Sequence, residues 1–265
     1  EPWKDVVLSG NIESDFIFST VLSEDLVNFG YVKLRCIVVP VEIFQGRYRI
    51  LDIKSLRAKG FNLMATWLEK AQKIWEEKRT EKSAERFPSI LDRIDYNGLL
   101  SAQSPLKKFI VIYNALGTNI ASCVINRENL PLFHIGNLKI KPKGFIVHDA
   151  CYYYETNSEE EAHYLCALLN SNVINDLIKP LQPKGLFGER GIHRRPFMLP
   201  IPKFDFNNPI HIKLAKLSKI CHAKVSKIKF TKKSTAGRRR EAKKAIKVEL
   251  TEIDKLVSQL LQCKQ

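Results

Sequence analysis

Apolar and polar residues alternate in short runs over the first 60 positions. "FIFSTVL", "YVKLRCIVVPVEIF" and "YRILDI" are rich in Val, Ile, Tyr and Phe and are separated by polar breaks, which predicts strands. "FQGRYRI" (44–50) places Gln-Gly between two of them, as a hairpin turn requires. The period then changes. In "NLMATWLEKAQKIWEEKRTEK" (62–82), Leu63, Trp67, Leu68, Ala71, Ile74 and Trp75 share one helical face and charges fill the other, with Asn62 placed to cap the start. This spacing assigns both tryptophans to core packing.

Residues 83–108 read as a polar connection. "FIVIYNALGTNIASCVI" (109–125) predicts two strands around a turn at 114–119, and "GFIVHDACYYY" (144–154) a further strand. "NSEEEAHYLCALLNSNVINDLIK" (157–179) predicts a helix capped by Asn157 or Ser158, acidic in its first turn and ending at Lys179 before Pro180. In the tail, Leu214, Leu217, Cys221, Val225 and Ile228 form one stripe. Ile246, Leu250, Ile253, Val257 and Leu260 form a heptad seam. Between them, "KFTKKSTAGRRREAKK" reads as a basic turn joining two antiparallel helices. The expected class is α+β: a mixed or antiparallel, β-rich domain with flanking helices over 1–205, then a basic C-terminal helical hairpin over 206–265.

Charge changes this picture. The formal net charge is +15, and residues 203–265 carry +12 of it. Such a balance points to nucleic acid, an anionic membrane surface or an acidic protein as partner. No run of about 18 apolar residues supports a membrane-spanning helix. The six cysteines (36, 123, 151, 166, 221 and 263) contain no C-x-x-C pair and read as reduced thiols of an intracellular protein. The first residue is Glu1, which points to a fragment of a longer protein.

Catalytic constellations are scarce. The sequence has no phosphate-binding G-x-x-x-x-G-K-[ST], no G-x-G-x-x-G after a strand, no G-x-S-x-G and no H-E-x-x-H. Glu42, Asp52 and Lys54 offer carboxylates and a lysine on adjacent strands, the set a Mg²⁺-dependent nuclease uses; charge on a surface hairpin is the competing reading. His193 and His211 have no acid–base partner in sequence.

The basic groups suit DNA or RNA better. Residues 184–195 hold three glycines, four cationic side chains and one histidine. Lys184, Gly185, Gly188, Arg190, His193, Arg194 and Arg195 combine guanidinium forks for phosphate and guanine with glycines that let backbone amides approach phosphate. A second run adds Lys232, Lys233, Arg238, Arg239 and Arg240. Asn114, Thr118 and Asn119 make a polar turn that could reach base edges or serve only as a turn. "PFMLPIP" (196–202) would anchor the first loop to the core.

"EEEAHYLCALLNSNVINDLIKPLQPKGLFGERGIHRRPFMLPIPKFD" resembles the C-terminal specificity region of adenine-specific N6 DNA methyltransferases, including large single-chain restriction–modification proteins. The shared features are a helix carrying "LLNS" (168–171), a Gly-rich basic loop, and "LPIP" (199–202) leading into a terminal helix. "RIDYNGLLSAQ" (93–103) and "VIYNALGTNIASCVI" (111–125) also look like segments of those enzymes, so the likeness spans roughly residues 45–225. The family's Asn/Asp-Pro-Pro-Tyr/Phe motif and its Gly-containing cofactor loop have no counterpart; "NNPI" (207–210) is not that motif. The resemblance therefore implies a target recognition domain that reads double-stranded DNA and catalyses nothing by itself. Its methyltransferase domain, with S-adenosylmethionine, would lie N-terminal in the same polypeptide, in the cytoplasm of a prokaryote. The heptad seam offers an alternative role as a subunit-assembly module, giving a homo-oligomer through the C-terminal helices.

Overall fold

The computed structural model describes residues 4–185 and 188–262. In chain order these form β1 (Ile17–Thr20), β2 (Leu26–Val27), β3 (Gly30–Tyr31), β4 (Arg35–Val38), β5 (Val41–Phe44) and β6 (Arg47–Ile50). Four helices follow, α1 (Ile53–Ala58), α2 (Asn62–Lys78), α3 (Glu81–Arg86) and α4 (Ile90–Ile94). The central strands are β7 (Phe109–Asn114), β8 (Ser122–Asn126), β9 (Phe133–Ile135), β10 (Leu138–Ile140) and β11 (Cys151–Thr156). Then come α5 (Glu159–Asn170), α6 (Asn172–Ile178), β12 (Lys184–Gly185), β13 (Gly188–Glu189), α7 (Pro209–Val225), α8 (Thr235–Ala245) and α9 (Lys247–Gln262). The class is α+β, with small antiparallel sheets and most of the helical residues toward the C-terminus.

The chain divides into two compact units that interleave in sequence. The first comprises residues 1–20, 36–106 and 130–149; the second comprises 21–35, 107–129 and 150–265. This division runs differently from the boundary drawn at 205/206, because α7 and α9 share one core with β7 and α5.

In the first unit, β5 and β6 pair antiparallel around Gln45 and Gly46, both at positive φ. That is the geometry a two-residue hairpin needs to match strand twist. Glu42 lies opposite Arg49 in this hairpin and is ion-paired to Arg49 and, at 3.1 Å, to Lys59. Asp52 lies beyond the hairpin, where its side chain caps α1 by accepting the Ser55 amide at 2.7 Å. The two carboxylates of the nuclease reading thus have structural partners. No cluster of three metal-ligating side chains occurs among the described residues.

The 62–82 helix forms as α2 but ends at Lys78, and its cap differs from expectation. Asn62 is already helical, and the Leu63 and Met64 amides of the first turn donate to the Glu13 carboxylate at 3.0 and 2.8 Å. A carboxylate at a helix N-terminus satisfies orphan donors and opposes the helix dipole. Glu13→Ala should therefore lower stability by about 1 kcal/mol, read as a shift in the urea midpoint. The "polar connection" holds two short helices, and α4 begins with a reciprocal capping box between Ser89 and Asp92. Trp75 is buried, and Trp67 packs against a cluster that contains Leu56 and Leu68.

The second unit is built around α5, in which every residue from Ala162 to Asn170 is buried. The sheet β11–β7–β8 covers it on one side and α7 on another. The predicted strand 144–154 forms only from Cys151, and the predicted helix 157–179 breaks at Ser171. Ser171 Oγ caps α6 through the Ile174 amide, so one residue ends one helix and begins the next. The segment expected as a basic turn is instead α8, with Ser234 as its N-cap. The seam residues Ile246, Leu250, Ile253, Val257 and Leu260 are buried in this unit's own core, alongside Leu214, Cys221 and Val225 of α7. The apolar seam that suggested a coiled coil between chains is thus covered within one chain. No helix among the described residues is long and apolar enough to cross a membrane.

Candidate nucleic-acid interface

Three segments far apart in sequence meet around the turn that joins β7 to β8. The turn itself is held by Asn114, which is fully buried. Its Nδ2 donates to the carbonyls of Leu116 and Asn119 at 2.8 and 3.2 Å, and its Oδ1 accepts the Ala121 amide at 2.7 Å. Both ends of this side chain are used inside the turn, so Asn114 shapes it and does not reach bases. Thr118 and Asn119 are exposed at the tip.

The 184–195 loop is the second segment. It begins as a ribbon in which Lys184 pairs with Glu189 and Gly185 with Gly188; Leu186 and Phe187 lie outside the described residues. The Ile192 and His193 amides donate to the Ala115 carbonyl at 2.9 and 3.0 Å. Just before the loop, Gln182 Nε2 donates to the Gly117 carbonyl at 3.2 Å. Tyr113 Oη donates to the His193 carbonyl at 2.7 Å, and His193 sits at φ 44°, a strained region for a non-glycine residue. Arg195 turns inward and donates to the carbonyls of Leu181 and Gly191. It closes the loop on itself, while Lys184, Arg190, His193 and Arg194 are exposed.

The third segment is α8. Arg239 donates from Nε to the Leu26 carbonyl at 3.0 Å and from Nη2 to the Ser23 carbonyl at 3.1 Å. A methyl group built on Gly117 would stand 4.0 Å from its Nη1, which puts this guanidinium against the β7–β8 turn. Burial pulls its pKa down to about 10, still protonated at neutral pH. Arg238 donates to the Glu24 carbonyl at 3.3 Å. Both arginines therefore bolt α8 onto residues 23–26, and Lys232, Lys233 and Arg240 are the exposed cations of this run.

Gly185 and Gly188 pair across the ribbon, and the other predicted site residues fall into two groups. Asn114, Arg195, Arg238 and Arg239 position the surface. Lys184, Arg190, His193, Arg194, Thr118, Asn119, Lys232, Lys233 and Arg240 are exposed. Sequence reasoning missed Gln182 and Tyr113, whose polar ends clamp the loop from below. Their only signal was a polar atom on an otherwise apolar or proline-flanked stretch. No protein-family model matches the chain, and no curated protein matches it.

Proposed function

We propose that the chain is the DNA-reading part of an adenine-specific N6 DNA methyltransferase, with the catalytic residues and S-adenosylmethionine held by another domain of the same polypeptide. The observation that carries this reading is the convergence of three segments around the β7–β8 turn. Exposed cations from the 184–195 loop border a polar turn, and half-buried arginines hold the surrounding backbone in place. Exposed guanidinium and ammonium groups supply the phosphate contacts, and a rigid turn bearing Thr118 and Asn119 supplies hydrogen-bonding groups of the kind that read base edges. The resemblance across residues 45–225 gives the reading its enzyme class.

The test is a duplex-binding titration over a range of salt. Arg190→Ala with Arg194→Ala should weaken binding several-fold or more at moderate salt. Removing one arginine–phosphate ion pair should flatten the log–log salt dependence by about 0.9. Unchanged affinity and slope would remove the loop from the interface. Arg195→Ala is a poor probe of phosphate binding, because it also opens the loop.

A further inference from the structure

The turn that follows the basic loop leaves large apolar side chains in water. Phe197 is 48% exposed and Met198 69%, directly after Arg194 and Arg195. The Phe197 ring lies tilted against Tyr113, 6.2 Å between centroids. Phe197 also borders a cavity of about 480 Å³, within the range of roughly 300–1,000 Å³ typical of small-ligand sites. Tyr154, Tyr164 and Phe204 line the same cavity, with Tyr164 and Phe204 tilted at 5.4 Å.

Two polar features break this aromatic lining. Glu161 lines the wall, its carboxylate oriented by the Tyr154 hydroxyl at 2.9 Å and by the Thr156 hydroxyl. A carboxylate offers about four acceptor positions, so about two remain. Lys203 also lines the cavity, and the exposed Arg194 lies three residues before Phe197. Aromatic faces, an oriented acceptor and nearby cations match an unstacked nucleotide: the base stacks, its amino group donates to the carboxylate, and its phosphate meets the cations.

We propose that the cavity bounded by Tyr154, Phe197 and Phe204 binds one unstacked nucleobase bearing an exocyclic amino group, with Glu161 as its acceptor. This deepens the DNA-reading function and rests on it. The protein thereby prefers DNA in which a base has left the stack, such as a bulge or a single strand, over a fully paired duplex.

The experiment uses fluorescein-labelled duplexes that are fully paired, or carry one bulged cytosine, thymine or abasic residue. The cytosine bulge should bind at least several-fold tighter than the abasic bulge. Phe197→Ala should erase that difference. Glu161→Gln should remove the preference for cytosine over thymine while leaving the stacking gain. Equal binding of the cytosine and abasic bulges, or a difference untouched by Phe197→Ala, overturns the cavity assignment. If the paired duplex still binds and still responds to Arg190→Ala with Arg194→Ala, the DNA-reading function stands without it. If no duplex binds, both fall together.

Discussion

Replacing Asn170 by alanine should cost about 3 kcal/mol of unfolding free energy, more than any substitution on the exposed basic loop. Asn170 is completely buried at the end of α5. Its Oδ1 accepts the Asn28 side-chain amide at 2.9 Å and the Ser122 backbone amide at 3.1 Å. Its Nδ2 donates to the Ser122 and Cys166 carbonyls at 2.9 and 3.0 Å. One side chain thus joins α5, β8 and the β2–β3 turn. Alanine would leave the Ser122 amide buried without an acceptor and open a small void beside it, and those two losses add. A urea titration measures the total. A double-mutant cycle with Asn28→Ala should show strong coupling between the two positions. A loss under about 1 kcal/mol would mean that water or a neighbour replaces the amide.

Acidification should destabilise the second unit through its histidine pair. His163 and His222 stand edge to face, 4.8 Å between ring centroids, between α5 and α7. His222 Nδ1 donates to the Ser218 carbonyl at 2.8 Å, and its Nε2 accepts the Val124 amide at 3.0 Å. One nitrogen gives and the other receives, which requires the neutral ring. Burial lowers the His222 pKa to about 4, although the Ser218 bond favours the proton. Burial, then the charges of His222 and Lys219, lowers His163 to about 2. Both folded values lie below the unfolded value near 6.5, so the unfolded chain takes up protons first. The stability these rings contribute is complete above about pH 6.5 and is lost as pH falls, down to about 4 for His222 and on toward about 2 for His163. For His222 alone the loss amounts to about 3 kcal/mol. Carboxylates also titrate at the lower end, so the decisive quantity is the difference between the native profile and that of His222→Gln, which keeps an acceptor for Val124. Parallel profiles would exclude His222 as the source.

Much of the architecture was legible because period and capping chemistry are local. The Gln45–Gly46 hairpin, the β7–β8 pair and the acidic start of α5 follow from neighbouring residues. The errors came where a local signal met a distant partner. Asn62 looked like a cap, but Glu13, about 50 positions away, does that work. The basic run between two apolar stripes looked like a turn, yet Ser234 caps a helix whose arginines have backbone acceptors at Ser23, Glu24 and Leu26. For the candidate site, the sequence located the basic clusters but not the division of labour within them. Arg194 and Arg195 are chemically identical neighbours, and only the carbonyls of Leu181 and Gly191 make one of them internal. The histidine pair is invisible to a local reading because its members come from separate helices, α5 and α7.

The interleaving of the two units carries a cost in time. The Ser23 and Leu26 carbonyls wait for Arg239, more than 200 residues later, and the core containing Val27 and Phe29 is completed only by α9. Closing loops of that length is slow, and pairings of high sequence separation form late. Synthesis must run from Val27 through α9 before this unit can consolidate. Until then, Phe29 and the buried face of α5 remain open to misassociation, so recovery of folded protein should depend on temperature and chain concentration during synthesis.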